Sequence, residues 1–185
     1  MVNNNFRAML VSETGENKFL REIITRQIDE LPEGDVLINV KYSSLNYKDA
    51  LSATGNKGVT RVYPHTPGID AAGIVVASNS STFKVNSKVL VTGYDLGMNT
   101  FGGYSEYIRV PAKWIINLPG QLTLRESMIF GTAGFTAALS IYKLINSGVK
   151  TSDGDILVTG STGGVGSTAI SILTKIGYTV TATTG

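Results

Sequence analysis

The stretch Asp155-Ile156-Leu157-Val158-Thr159-Gly160-Ser161-Thr162-Gly163-Gly164-Val165-Gly166 decides the fold, because it runs a short apolar segment straight into a glycine-rich turn. Without polar alternation, Ile156-Leu157-Val158 reads as a buried parallel strand. Residues 165–176 read as a helix ended by Gly177, and 178–183 as the next strand. This is one βαβ unit. Its two apolar faces need more strands and helices to cover them than the chain carries before Gly185, so a protein roughly twice as long is expected.

A strand-to-helix turn of this kind can receive a diphosphate on backbone N–H groups and the positive end of the helix. Ser161, Thr162, Gly163, Gly164 and Val165 are therefore the candidate cofactor contacts. Gly164-x-Gly166-x-x-Ala169 also satisfies the dinucleotide fingerprint, in which glycine permits the tight turn and close approach. A turn without a ligand can carry the same letters; the flanking strand and helix favour the functional reading. No lysine follows as in a P-loop. At the end of the second strand, where Asp or Glu marks NAD, stand Thr183-Thr184-Gly185. Neutral hydroxyls leave room for a 2′-phosphate, which points to NADPH, although Thr183 can also simply finish a strand with the deciding residue further on.

Upstream, the pattern is different. Val36-Leu37-Ile38-Asn39-Val40-Lys41-Tyr42, and similar segments over 8–12, 72–77, 88–92 and 104–110, are short and bounded by turn residues, as in a barrel or sandwich. After Pro119-Gly120, Thr123 with Glu126 three residues later forms a capping signature for a helix reaching Ile145. Gly131 and Gly134 inside it imply either two helices or close packing. A boundary follows, with domains over 1–122 and 123–185.

Composition narrows the chemistry. The 185 residues are 42% apolar and 16% charged with 21 glycines, a globular balance rich in turns. A formal charge of +2 without a basic run gives no reason to expect nucleic acid or an anionic membrane. No stretch approaches about 18 apolar residues, so no membrane span and a cytoplasmic protein are expected. With no cysteine and His65 as its one histidine, the chain offers no ligand set for zinc.

Four ordered motifs carry a resemblance over nearly the whole chain: Ser43-Ser44-Leu45-Asn46-Tyr47-Lys48-Asp49-Ala50-Leu51, Tyr63 to Gly73, Gly131 to Ala138, and Val158 to Gly166. They resemble the zinc-free quinone oxidoreductase branch of the medium-chain dehydrogenase/reductase superfamily, and within it the bacterial acrylyl-CoA reductase group. The resemblance implies a mixed α/β chain: an N-terminal GroES-like β-barrel followed by the start, the first βαβ unit, of a Rossmann domain. It implies hydride transfer from NADPH to the β-carbon of an enoyl thioester or enone, with protonation at the α-carbon and no zinc. A quinone is the alternative acceptor, and a noncatalytic NADPH-binding sensor or structural protein the alternative of another class. A homodimer is expected of the full-length protein.

Carried residue by residue, the resemblance places Tyr47 beside the nicotinamide and makes Tyr47 and Asn46 the catalytic candidates. A phenol is a poor base at neutral pH but can orient a carbonyl or relay a proton; the competing role is a half-buried ring on a turn. Asn46 can donate an amide hydrogen bond to cofactor or substrate. Thr132, with Thr136 behind it, matches the segment lining the nicotinamide side, although small residues also serve plain close packing. Asp49 is expected to support, fixing Arg61 or the local backbone. Asp70 is assigned no chemistry, and His65 is expected to be a satisfied or exposed histidine.

Overall fold

The computed structural model describes residues 4–184. The chain divides into two compact units, Met1–Ile129 and Phe130–Gly185.

The first unit opens with a ribbon of two antiparallel strands, β1 (Asn5–Gly15) and β2 (Lys18–Gln27). β3 (Val36–Tyr42), β4 (Asp70–Ser78), β5 (Lys88–Thr92), β6 (Tyr107–Val110) and β7 (Ile115–Asn117) form an antiparallel sheet in the order β6-β3-β4-β5-β7. Successive strand residues face opposite sides. Val36 and Ile38 accordingly pack with Val75, Val89, Val91, Leu96, Ile108 and Val110, while Leu37 packs with Phe6, Ala8 and Leu31. Burial on both faces explains why β3 opens with three apolar residues in a row, Val36-Leu37-Ile38.

Among the described residues the sheet does not close on itself, so the expected barrel is present as an open sheet with the ribbon against it. The reason is local. β6 pairs with β3 over four residues only, and β1 meets Ser105 and His65 by isolated bridges rather than a ladder. Between β3 and β4 a short helix, α1 (Tyr47–Ala53), was not legible in the sequence. β2 and β7 were missed as well.

α2 (Leu124–Asn146) starts at the expected cap: Thr123 Oγ1 accepts the Glu126 N–H at 3.1 Å, and Glu126 Oε2 accepts the Thr123 N–H at 2.8 Å. Gly131, at φ 49° and ψ −153°, breaks α2 into two helices, one of the two outcomes its glycines implied. By length and composition alone α2 could cross a bilayer, against the expectation of no such segment. The break leaves a continuous piece, 132–146, of about 22 Å, short of the roughly 30 Å of a hydrocarbon core.

In the second unit β8 (Ile156–Val158), α3 (Gly164–Lys175) and β9 (Val180–Ala182) make the expected βαβ unit, with β8 and β9 parallel. Ile141, Leu173 and Tyr178 form its core with Ile156, Val158, Ala169 and Val180 around them.

Candidate active site

Asn46 is the N-cap of α1, and Tyr47 is the first helical residue. The Tyr47 side chain is 80% exposed, so the ring is neither half-buried nor on a turn. Two positions along, Asp49 is 3% exposed and its carboxylate receives four donors. Oδ1 accepts the Gly68 and Ile69 N–H groups at 3.1 and 2.9 Å. Oδ2 accepts the Asn46 N–H at 2.8 Å and the Tyr104 hydroxyl at 3.0 Å. Asp49 thus fixes the local backbone, as one half of its expectation had it, and Arg61 is not among these partners.

The amide of Asn46 is directed inward as well. Nδ2 donates one of its two N–H groups to Asp70 Oδ2 at 2.8 Å. Asp70 is fully buried, and its carbonyl oxygen accepts the Ser43 hydroxyl at 2.6 Å. Ser44 Oγ donates to the Met128 carbonyl at 2.7 Å. Every residue from Ser43 to Asn46 is therefore held from one side or the other except Leu45, which is exposed. Beside this web lies a cavity of about 280 Å³ lined by Leu45, Asn46, Asp49, Ala50, Ala53 and Tyr104. The Tyr104 phenol is held protonated, its pKa pushed up first by burial and then by the charge and hydrogen bond of Asp49.

His65 departs from expectation. It is 1% exposed, packs edge-on to Tyr63 and against Phe101, and its Nε2 has no hydrogen-bond partner among the described residues. A ring in a strand-like segment bonded on both backbone groups to Val11 is carried inward whatever its polarity. Burial lowers its pKa, against the opposing pull of a hydrogen bond to the Gly97 backbone and of Asp95.

In the second unit the turn after β8 is closed by its own backbone. Gly160 takes φ +61°, its carbonyl accepts the Gly163 N–H at 3.0 Å, and Ser161 N–H reaches the Thr183 carbonyl at 3.0 Å. Gly163 is the N-cap of α3, so Gly164 and Val165 open the helix with N–H groups that have no partner one turn earlier. Thr162 Oγ1 and Thr184 Oγ1 are 3.2 Å apart, which joins the turn to the end of β9. The glycine requirement falls hardest on Gly160, by its positive φ, and on Gly166, a member of the fingerprint, whose Cβ would meet the Gly160 backbone. Gly164 instead meets the Ala133 methyl, 3.1 Å from where its own Cβ would stand, so the segment carrying Thr132 adjoins the turn. Thr132 is half-buried, and Thr136 turns its hydroxyl back to the Thr132 carbonyl at 2.8 Å. Gly185 lies outside the described residues.

Residues 32–120 match the family described as the alcohol dehydrogenase GroES-like domain. The chain is 49% identical over 161 residues to the putative quinone oxidoreductase YhfP of Bacillus subtilis, covering 87% of this chain and 49% of that protein. It is 47% identical over 176 residues to the probable acrylyl-CoA reductase AcuI of Escherichia coli, covering 95% and 54%. The yhdH oxidoreductase of Salmonella enterica, solved in complex with NADP, matches with a TM-score of 0.92 at 45% identity over 95% of this chain and 54% of that one. Bacillus subtilis yhfP, solved with NAD bound, matches with a TM-score of 0.92 at 44% identity over 97% and 54%. Along 87–97% of its length the chain is thus similar to proteins named quinone oxidoreductase and acrylyl-CoA reductase and to oxidoreductases solved with NADP or NAD bound. It spans about half the length of these two curated relatives.

Proposed function

We propose that the whole protein is an NADPH-dependent oxidoreductase that reduces the activated C=C bond of acrylyl-CoA or a related enoyl thioester or enone. In this reading residues 1–122 are the substrate-side domain and 123–185 the start of the nucleotide-binding domain. The observation that carries it is Tyr47, a solvent-facing phenol at the head of a helix whose first turn is bonded down by Asp49. The acceptor class is supported by the name of the Escherichia coli relative.

The residues of the glycine turn fit a dinucleotide. A Cβ on Gly166 would stand 2.3 Å from the Gly160 carbonyl oxygen, a closeness only glycine allows, and the unpartnered N–H groups of Gly164 and Val165 suit a diphosphate. Ser161, Thr162 and Gly163 would complete that cradle, with Thr183, Thr184 and Gly185 beside the ribose and Thr132 toward the nicotinamide. The hydroxyls of Thr162 and Thr184 favour a 2′-phosphate over a bare diol, where an acidic residue would repel it. When bound, NADPH supplies the hydride that reaches the β-carbon of the acceptor.

Tyr47 donates its hydroxyl hydrogen bond to the acceptor's carbonyl oxygen, where negative charge gathers as the double bond is reduced. Its exposure admits water, which supplies the proton to the α-carbon while the phenol keeps its own on the carbonyl oxygen. Asn46, with its amide on Asp70, serves the site by holding α1 in place. No zinc is required in this reading, and the chain brings no cysteine and one histidine with which to bind it. A cytoplasmic homodimer completes the proposal.

A quinone is the second acceptor, favoured by the name of the Bacillus relative. The test is NADPH oxidation by the whole protein with acrylyl-CoA, crotonyl-CoA and a quinone. Tyr47→Phe is expected to lower kcat on the enoyl thioesters by about 100-fold while leaving NADPH binding unchanged. Tight NADPH binding without turnover of any acceptor would replace the enzyme by a noncatalytic binder.

A further inference from the structure

We infer that Tyr104 is a positioning residue for this reaction, its hydroxyl holding, through Asp49, the backbone from which Tyr47 projects. The inference rests on the role proposed for Tyr47. A ring that is 80% exposed has little packing to orient it, so its direction is set by the first turn of α1. That turn is fastened by one carboxylate oxygen, Asp49 Oδ2, which accepts the Asn46 N–H.

The Tyr104 hydroxyl reaches the same oxygen at 3.0 Å and also stands 3.2 Å from the Ser44 carbonyl. It therefore spans Asn46, touching the chain two residues before and three residues after it. Tyr104 is itself anchored. Its N–H donates to the Pro67 carbonyl at 3.0 Å, and its carbonyl accepts the Met9 N–H at 2.9 Å. Gly68, at φ +110°, leaves no slack beneath: a Cβ there would lie 2.6 Å from the Tyr104 nitrogen.

Tyr104 lines two cavities. One is the 280 Å³ cavity beside α1, the other a cavity of about 330 Å³ lined also by Arg7, Met9, Ile23 and Glu106. Its hydroxyl adds to the ties that Asn46 and Asp49 make from the head of α1 to Asp70, Gly68 and Ile69, and it is the one that comes from the Tyr104 side. The raised pKa keeps that hydroxyl a donor throughout the working pH range.

The test uses the whole protein with four forms: wild type, Tyr104→Phe, Tyr47→Phe and the double variant. Phenylalanine keeps the ring and removes only the donor. Tyr104→Phe is expected to lower kcat about tenfold, the scale of a lost hydrogen bond to a charged group. KM for the thioester and the NADPH Kd should stay within about twofold, and in the Tyr47→Phe background the same change should cost nothing further. An equal loss in both backgrounds, or no loss in either, overturns the inference. If the wild type turns over no acceptor, the reading of the reaction falls and amide exchange decides the positioning. Faster exchange at Asn46 and Asp49 in Tyr104→Phe sustains it, and unchanged exchange overturns it.

Discussion

The carbonyl oxygen of Gly160 lies 2.3 Å from the point where a Cβ on Gly166 would stand. No rotamer relieves a backbone contact of that kind, so Gly166→Ala must push the turn away from the head of α3. The expected cost is about 1–3 kcal/mol of stability, as for other overpacked sites. NADPH affinity in the whole protein should fall at least about tenfold with it. Titration of NADPH fluorescence checks this; unaltered affinity would remove the turn from the cofactor site.

Asp49 is the second point of dependence. Asp49→Ala leaves the Gly68, Ile69 and Asn46 N–H groups and the Tyr104 hydroxyl without their shared acceptor. Loss of charge-assisted bonds in a buried place is expected to cost about 3 kcal/mol or more. Denaturant unfolding measures it, and a cost below about 1 kcal/mol would show that water replaces the carboxylate freely.

His65 predicts an acid-sensitive fold. Its folded pKa is lowered by burial, while the unfolded chain protonates near the ordinary value of 6.5. The unfolded state therefore binds the proton first as pH falls below 6.5, and stability drops until the folded pKa is reached. Thermal unfolding between about pH 7 and pH 5 should show the decline, and His65→Phe should flatten it. A slope unchanged by that substitution would place the proton uptake elsewhere.

The cap of α2 makes a prediction of the opposite charge type. Thr123→Ala is expected to destabilise by about 1 kcal/mol, the usual worth of an N-cap hydroxyl. In the wild type, hydrogen bonds from the Thr123 side chain and backbone hold the Glu126 carboxyl below its ordinary range. A depressed carboxyl stabilises above its unfolded pKa and loses that contribution as pH falls through the folded one. In Thr123→Ala the Glu126 pKa, followed by NMR titration, should move back up.

Much of this was legible in the sequence, and the reasons for the gaps are specific. The strand from Val36 to Tyr42 and the cap Thr123–Glu126 were recognisable because local pattern and tertiary burial agree there. The βαβ unit was readable for the same reason. β2 was missed because Lys18–Gln27 pairs on one side only and is largely exposed, so no alternation marks it. α1 was missed because a seven-residue helix has too few turns for a period. Within the candidate site, Asn46 and Tyr47 were found by resemblance, but the inward turn of Asn46 and the part of Tyr104 depend on bonds 24 and 55 residues apart in the chain. One local signal for Asp49 was present: a carboxylate three residues after an N-cap asparagine is a capping pattern.

Tyr47 and Asp49 sit two positions apart on one helix, one open to water and the other enclosed. The residue offered for the chemistry contributes little to holding the fold, and the residue that holds the fold is out of a substrate's reach. Selection can then exchange the reactive side chain for a new acceptor without endangering the protein, whereas the anchor beneath it can scarcely vary. In the reading proposed for Tyr47, a change of acceptor would then need no change in the scaffold.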